Sequence, residues 1–467
     1  MNVQDDLSQV DLIMARARKA QLAYEKNGSQ LRYDRAAQAA AWALMEPARN
    51  RHLAELAVQT TGLGNVADKI TKNHRKTLGL MRDISQAKTF GVIRDDAQSG
   101  IIEIARPMGV IGAVVPSTNP AATPANNIIN ALKCGNAIVL SPSPKGVPAC
   151  ETLIAYIHDE FDKIGEDHDL VQMVPGAGSK EKTQRLLEIS DLIVVTGSQN
   201  NVKRAYTSGT PALAVGAGNV TVIVDETCDL AAAAQKITAS KTFDNATSCS
   251  SENALVVVDA IYDAFVLALE KVGGALIKDE AAIVAKLWPD GHLNRSVIAQ
   301  DADKMIAALG LEGQVPPDTE FIAVETSGIG PDHPLSGEKL SRVAALYRAR
   351  DFDHAVQITD QILAHQGAGH SVGLHSAHAD RALHLGTALP TCRVIVNQAH
   401  CFATGGAFNN GMPFSLSMGC GTWGGNSIDD NVHWKHFLQT TKIIREIPPR
   451  EPKPEDIFAD YWKVAGQ

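Results

Sequence analysis

Five short apolar segments recur between residues 110 and 215, and a stretch with helical spacing separates each one from the next. They read VIGAVV, AIVL, LVQMV, LIVV and ALAV, and they occupy residues 110–115, 137–140, 170–174, 192–195 and 212–215. Short apolar strands that alternate with helices are typical of a parallel sheet covered by helices on both faces. The sequence therefore predicts a doubly wound α/β domain whose ligand crevice lies at the carboxyl ends of the strands.

The regions on either side of these segments have other patterns. Residues 10–85 are rich in alanine with helical spacing, which predicts packing helices. In residues 91–106 a polar turn, DDAQSG, separates two β-prone pieces, which predicts a hairpin. After residue 224 a predicted helix at 230–241 leads to a second α/β region. The tail at 447–456 is rich in proline and charge, so we expect it to lie on the surface or on a partner subunit.

Composition excludes several classes of protein. Hydrophobic residues make up 45% of the chain and charged residues 20%, both near globular averages. A net charge of −9 disfavours nucleic acid as a partner. The seven cysteines form no C-x-x-C pair, so neither a disulfide scaffold nor a zinc site is expected. Because the first residues are acidic and no apolar run is long enough to span a bilayer, we expect a cytoplasmic protein without membrane contact.

Cys249 stands between two short polar runs, in the string FDNATSCSSEN at residues 243–253. A thiolate attacks carbonyl carbon well, and small neighbours leave room for a substrate. The alternative is a buried structural thiol, which is how most unpaired cysteines behave. We predict that Cys249 is a covalent nucleophile.

Two further positions follow predicted strands. Thr196, Gly197 and Ser198 end one strand and open a helix, where free backbone N–H groups favour a phosphate. The alternative is a simple helix cap. Asn119 follows the first core strand, and its local pattern suits a turn residue before Pro120.

Several longer strings resemble the CoA-acylating branch of the aldehyde dehydrogenase family, and they occur in the family's order. Besides the Cys249 segment they are PSTNPAATP, NAIVLSPSPK, VTGSQNNVKRAY, GAGNVTVIVD, HPLSGEKLSRVAALYRARDF, GAGHSVGLHS and GCGTWGGNS. The resemblance implies the aldehyde dehydrogenase fold, with a Rossmann-like cofactor domain at residues 1–228 and a catalytic domain at 229–430. It also implies a return segment at 431–467 and an oligomerisation hairpin at 91–106, and hence a homodimer or homotetramer.

The resemblance also implies roles for individual residues. Cys249 is the nucleophile and Asn119 holds the oxyanion, with the Cys249 backbone N–H as the second donor. Gly216 lies near the nicotinamide and Glu338 binds the nicotinamide ribose. The full set of implied nucleotide contacts is Thr118, Ser141, Pro142, Lys145, Thr196, Gly197, Ser198, Gly216 and Glu338.

The lack of one glutamate indicates the second substrate. Hydrolytic members of the family carry a glutamate that activates water near the segment that reads ALAVGAGNV here, at residues 212–220, and this segment has no acid. We therefore expect a thioester on Cys249 to persist until coenzyme A takes the acyl group. His370 is either the base that accepts the thiol proton or a structural histidine. No metal is expected at His375, His378 and His384, since no cysteine or carboxylate cluster accompanies them.

The choice of nucleotide and aldehyde is less constrained. Ser141 and Pro144 stand where many NAD-dependent relatives have lysine and glutamate, which favours NADP over NAD, with Lys145 as a partner for the 2′-phosphate. The loop at residues 396–427 resembles that of relatives that oxidise sulfoacetaldehyde. We expect the guanidinium of Arg342 to bind the sulfonate group of this substrate. The alternatives are acetaldehyde or propionaldehyde, and hydrolytic oxidation to a free acid.

Overall fold

The computed structural model describes residues 3–176 and 179–466. Its helices are α1 (Val3–Lys26), α2 (Gln30–Met45), α3 (Pro47–Thr61), α4 (Val66–Ile84), α5 (Ala122–Lys133), α6 (Val147–Ile164), α7 (Lys180–Ile189), α8 (Gln199–Tyr206), α9 (Leu230–Thr242), α10 (Tyr262–Glu270), α11 (Glu280–Leu287), α12 (Ala302–Leu309), α13 (Phe352–His365), α14 (Ala379–Ala388), α15 (His400–Ala403) and α16 (Pro454–Ala465). Its strands are β1 (Gly91–Asp96), β2 (Ile101–Pro107), β3 (Val110–Val115), β4 (Ala137–Pro142), β5 (Val171–Met173), β6 (Leu192–Thr196), β7 (Ala212–Val215), β8 (Val220–Val224), β9 (Glu252–Val258), β10 (Gly274–Ile277), β11 (Phe321–Glu325), β12 (Val343–Ala349), β13 (Val372–His375), β14 (Val394–Val396) and β15 (Leu438–Ile444).

The five apolar segments form one parallel sheet, in the order β5-β4-β3-β6-β7. β3 and β4 are buried along their whole length, which explains why they read as continuous apolar runs and not as alternating ones. The strand order reverses between β3 and β6, so a crevice opens beyond their carboxyl ends. The predicted doubly wound domain is confirmed.

A second parallel sheet has the strand order β10-β11-β12-β9-β8-β13-β14. β9, which directly follows the Cys249 segment, lies near its centre between β12 and β8 and is buried throughout. β8 also belongs to this sheet, so by strand pairing the chain leaves the first sheet between Val215 and Val220. The boundary inferred from the resemblance lies later, after residue 228.

The third sheet is antiparallel. β1 and β2 form the hairpin predicted at residues 91–106, and β15 from the end of the chain pairs with the other edge of β2. The tail beyond β15 is exposed, as expected from its proline and charge, and it ends in the exposed helix α16. None of the helices in the described ranges combines the length and apolar character needed to cross a bilayer.

The predicted helices of residues 10–85 are present as α1 to α4. The small side chains of the alanine-rich α2 are buried together with residues of β3, β4 and α5 in one core cluster. Lys69 and Lys72 on the buried face of α4 contact Asp244, which holds this helix beside the Cys249 segment. The helix forms one wall of the cavity that contains Cys249.

Candidate active site

A cavity of about 830 Å³ opens where the two parallel sheets meet. Its walls come from the ends of β3, β4 and β6, from α4 and from the Cys249 segment. Among the described residues that line it are most of the sequence-predicted site residues, namely Thr118, Asn119, Ser141, Pro142, Thr196, Gly197, Ser198, Gly216, Cys249 and Glu338. His370 lies behind Cys249, buried in the protein.

The segment before Cys249 has an unusual backbone. Asp244, Asn245 and Ala246 all have left-handed conformations, with φ of 48°, 54° and 60°. Residues other than glycine rarely adopt this region, so surrounding contacts must impose it. Burial of all three side chains and a dense set of hydrogen bonds supply those contacts.

Asp244 is the centre of that support. Its Oδ2 lies 2.5 Å from Lys72 Nζ and 3.1 Å from Lys69 Nζ, and its Oδ1 accepts a bond from the Asn65 backbone N–H. Burial alone would raise the pKa of Asp244, but the two lysines lower it overall. A buried carboxylate held by two cations thus ties the nucleophile segment to α4.

Cys249 faces a buried histidine. His370 Nε2 lies 3.4 Å from Cys249 Sγ, His370 Nδ1 lies 2.7 Å from Ser371 Oγ, and Ser371 Oγ lies 2.8 Å from His400 Nε2. Burial, followed by the charge of Glu338, raises the pKa of the Cys249 thiol to about 12. Burial, followed by Arg393, lowers the pKa of His370 to about 3. In the resting site the thiol is therefore protonated and the imidazole neutral, so a proton transfer between them has to accompany attack on a bound aldehyde and not precede it.

Arg393 fixes the backbone on which His370 stands. Its guanidinium donates to the carbonyl oxygen of His370 at 3.0 Å and to that of Gly419 at 2.8 Å, and its Nε donates to Asn431 Oδ1. These bonds connect the backbone at His370, just before β13, to the loop that contains Gly419 and Asn431. Sequence analysis did not single out Arg393, since its partners lie up to 38 residues away.

The amide of Asn119 has a defined orientation. Lys72 Nζ donates to Asn119 Oδ1 at 3.0 Å, and an ammonium group cannot accept a hydrogen bond. The oxygen must therefore face Lys72. Nδ2 donates one long hydrogen bond to Thr118 Oγ1, at 3.5 Å, and keeps a second N–H for a ligand in the cavity that Asn119 lines. Asn119 can thus hold an oxyanion beside Cys249.

The other end of the cavity suits a nucleotide. Ser198 caps α8 by accepting a bond from the Asn201 backbone N–H, and Thr196 lies just before it at the end of β6. Glu338 lies in the wall between this turn and Cys249, where burial raises the pKa of its carboxyl to about 8. A methyl group at Gly218 would come within 2.2 Å of the Cys249 carbonyl oxygen, so only glycine fits between the nucleotide end and the nucleophile.

One expectation from the sequence is wrong. Arg342 does not line the cavity: its Nη2 and Nε donate to Asn245 Oδ1 at 2.7 and 3.0 Å, and its Nη1 pairs with Glu320 at 2.6 Å. It supports the left-handed turn and not the substrate. Lys145 is exposed on the turn after β4, next to Pro144 of the cavity wall, and its contact with the nucleotide stays a prediction.

The cations that do line the cavity were not identified from the sequence. They are Lys72, Arg75, Lys76, Lys180 and Arg204. The first three recur at helical spacing on one face of α4, in the string KNHRK, and this pattern of charge on a buried helix face was the available signal. Among the described residues in the lining, the single carboxylate is that of Glu338.

Comparison with known proteins gives concordant matches. The sequence matches the aldehyde dehydrogenase family over residues 3–279. It is 55% identical to an acylating sulfoacetaldehyde dehydrogenase from Cupriavidus necator, over 98% of this chain and 93% of that protein. It is 38% identical to an acylating sulfoacetaldehyde dehydrogenase from Bilophila wadsworthia, over 97% of this chain and 98% of that protein.

Solved structures agree with this relationship. An acetylating aldehyde dehydrogenase from Geobacillus thermoglucosidasius superposes with a TM-score of 0.91 at 30% identity, covering 97% of this chain and 99% of that one. A propionaldehyde dehydrogenase from Rhodopseudomonas palustris, with bound propionyl-CoA, gives 0.82 at 25% identity over 93% and 94% of the two chains. An engineered glycolyl-CoA reductase with bound NADP⁺ also gives 0.82 at 25% identity, over 93% and 96%. The chain therefore belongs to the aldehyde dehydrogenase family.

Proposed function

We propose that this protein oxidises sulfoacetaldehyde to sulfoacetyl-CoA, using NADP⁺ or NAD⁺ and a thioester on Cys249. The observation that carries the proposal is the pairing of Cys249 with His370 in a cavity whose 212–220 segment has no acid to activate water. The relatives at 55% and 38% identity bear the name of this reaction, which supports the choice of aldehyde.

In the first step, His370 Nε2 accepts the thiol proton while Cys249 Sγ attacks the aldehyde carbon. The 3.4 Å separation of these atoms allows that transfer. The carbonyl oxygen becomes an oxyanion, which Asn119 Nδ2 stabilises by a hydrogen bond. One such donor typically lowers the barrier by about 3 to 4 kcal/mol.

The nucleotide end of the cavity fits a nicotinamide dinucleotide. The N terminus of α8 opens on it through Ser198 and Asn201, which suits a pyrophosphate. A bound nicotinamide would supply the acceptor for the hydride on the carbon attached to Cys249. Glu338 lines the same cavity and would accept a hydrogen bond from a ribose.

Release of the acyl group requires an external thiol. Glu338, the single carboxylate among the described lining residues, has a pKa raised to about 8 and is mostly protonated at neutral pH. It is therefore a poor base for water. Before coenzyme A reacts, His370 releases the proton from the first step to solvent and is neutral again. The thiol of coenzyme A then passes its proton to His370 as its sulfur attacks the thioester. Cys249 leaves as a thiolate and regains its proton from His370.

For the nucleotide, we propose a preference for NADP. Ser141 and Pro144 line the adenosine end of the cavity without an acid that would repel a 2′-phosphate. Lys180 and Arg204 also line the cavity, and together with Lys145 they are candidate partners for that phosphate. A kcat/KM ratio that strongly favours NAD⁺ would contradict this preference.

We also propose a homo-oligomer. Most of the residues of β15 are exposed at the free edge of the three-stranded sheet, and Ile444 is 77% exposed. The helix α16, which follows β15 in the chain, exposes Ile457, Phe458 and Tyr461. An open strand edge and exposed apolar side chains of this kind favour contact with a second copy of the chain. Light scattering coupled to size exclusion measures its order.

The experiment that tests the substrate is a comparison of aldehydes with CoA and NADP⁺ present. We expect kcat/KM for sulfoacetaldehyde to exceed that for propionaldehyde and acetaldehyde. Mass spectrometry of the product should give sulfoacetyl-CoA. A higher kcat/KM for the uncharged aldehydes would remove the sulfonate assignment and leave the acylating reaction standing.

A further inference from the structure

Three cations stand on one face of α4 at the end of the cavity that lies away from the nucleotide. They are Lys72, Arg75 and Lys76, at positions i, i+3 and i+4 of the helix. Residues at this spacing share a helix face. Like charges so close together in a cavity wall repel one another and cost stability, so each of them requires an explanation.

Lys72 is fully engaged, whereas Arg75 and Lys76 are not neutralised. Lys72 Nζ pairs with Asp244 and donates to Asn119 and Thr247. In the described part of the chain, neither Arg75 nor Lys76 takes part in an ion pair with a carboxylate. Their hydrogen-bond acceptors are neutral backbone carbonyls.

The partners of Lys76 are backbone carbonyls. Its Nζ donates to Gly405 O at 2.5 Å and to Ser415 O at 3.1 Å, which leaves one of its three N–H donors without a partner of this kind. A methyl group at Gly405 would lie 2.4 Å from Nζ, so the glycine makes room for the ammonium group. Burial lowers the pKa of Lys76 to about 7, with the neighbouring Arg75 as the next cause.

Arg75 is held by two backbone carbonyls, those of Phe402 and Gly406, and by the aromatic rings of Phe402 and Phe414. Its Nη2 donates to Phe402 O at 3.1 Å, and its guanidinium lies 4.9 Å from the centroid of the Phe402 ring. Burial lowers its pKa as well. These contacts orient the guanidinium but supply no counter-charge. An anion that enters the cavity therefore finds this guanidinium and, beside it, the amine of Lys76, whose charged form the anion itself favours.

We propose that Arg75 and Lys76 bind the sulfonate of the substrate and set the preference for an anionic aldehyde. This inference rests on the proposed function and assigns its specificity to two residues. A sulfonate is a permanent monoanion with three acceptor oxygens, which suits a guanidinium fork and an ammonium group. With the sulfonate on α4, the aldehyde end of the substrate points toward Cys249, which lines the same cavity. An uncharged aldehyde gains nothing from the two cations.

The test measures kcat/KM for sulfoacetaldehyde and propionaldehyde in Lys76→Met and Arg75→Gln. Lys88→Met is the control, since Lys88 is exposed and lies just beyond the end of α4. We expect each cavity variant to lose about 100-fold in kcat/KM for sulfoacetaldehyde, as for a lost charge-assisted bond in a desolvated site, and less than about threefold for propionaldehyde. The loss should appear chiefly in KM, and Arg75→Lys should restore part of it.

A second measurement separates this inference from the choice of substrate. Propane-1-sulfonate should inhibit wild-type propionaldehyde oxidation competitively, and its inhibition constant should rise at least about tenfold in both cavity variants and stay unchanged in Lys88→Met. Equal losses for the two aldehydes, or an unchanged inhibition constant, would overturn the inference. If the wild type prefers propionaldehyde, the proposed substrate is wrong, and the inhibition constants alone decide whether the two cations bind sulfonates. Should Lys76→Met fail to fold, Arg75→Gln decides in its place.

Discussion

The imidazole Nε2 of His370 lies 3.4 Å from Sγ of Cys249, and the other ring nitrogen is engaged by the hydroxyl of Ser371 at 2.7 Å. The hydroxyl is in turn 2.8 Å from His400 Nε2. A cysteine that is poorly ionised on its own is thus joined to a chain of buried groups that can move its proton. The account of the reaction depends on this chain.

Replacing Cys249 by alanine removes the atom on which the thioester forms. We expect Cys249→Ala to lose at least about 10⁴-fold in kcat, because losing a covalent nucleophile costs many orders of magnitude. Binding of NADPH, measured by fluorescence, should remain near the wild-type value. Turnover at a tenth of the wild-type rate would show that the nucleophile is a different residue.

The reactivity of Cys249 should depend on pH in a defined direction. Since burial raises the pKa of its thiol to about 12, the thiolate fraction in the free enzyme should rise about tenfold per unit between pH 7 and pH 9. The rate of alkylation by iodoacetamide, followed by mass spectrometry with Cys249→Ala as control, should rise with it. A plateau below pH 8 would mean that His370 or another group already holds the thiolate.

Ser371 should act through His370 as a positioning residue. We expect Ser371→Ala to lower kcat by at least about tenfold, because the hydroxyl fixes the tautomer of the imidazole. Ser371→Thr keeps the hydroxyl and should restore most of the rate. A purely structural role would lower thermal stability and leave the pH profile of kcat unchanged, whereas a positioning role should shift the profile.

Lys72 links the oxyanion donor to the turn that carries the nucleophile. Lys72→Met should lower kcat by about 10² to 10³, since the Asn119 amide loses its orientation. It should also lower the free energy of unfolding by about 3 to 5 kcal/mol, since Asp244 loses one of its two cations. Adding Asp244→Asn should recover part of the stability, measured by denaturant unfolding, but not the rate. Recovery of both would assign Lys72 to stability alone.

The strands and the hairpin whose pattern lies within a few neighbouring residues could be predicted from the sequence. β3 and β4 are continuous apolar runs, and the hairpin at 91–106 has a polar turn between β-prone pieces, so their residues specify them without distant partners. The pairing of β15 with β2 was not visible, because more than 300 residues separate the two strands.

The site was predictable in its residues but not in its electrostatics. The motifs placed Cys249, Asn119 and Thr196 in one cavity, whereas the role expected of Arg342 was wrong. The location of a charged side chain depends on its hydrogen-bond partners, and the partners of Arg342 lie 97 and 22 residues away in the sequence. The cations of α4 were missed although their helical spacing was visible, because that spacing does not show that this face of the helix lines a cavity.

The most direct test of the central claim is the time course of NADPH formation by the wild-type enzyme with sulfoacetaldehyde, with and without CoA. The account predicts a burst of about one equivalent per active site without CoA, as the thioester accumulates on Cys249, and sustained turnover only when CoA is added. Mass spectrometry should find the acylated protein after the burst. Sustained turnover without CoA, with release of sulfoacetate, would contradict the account.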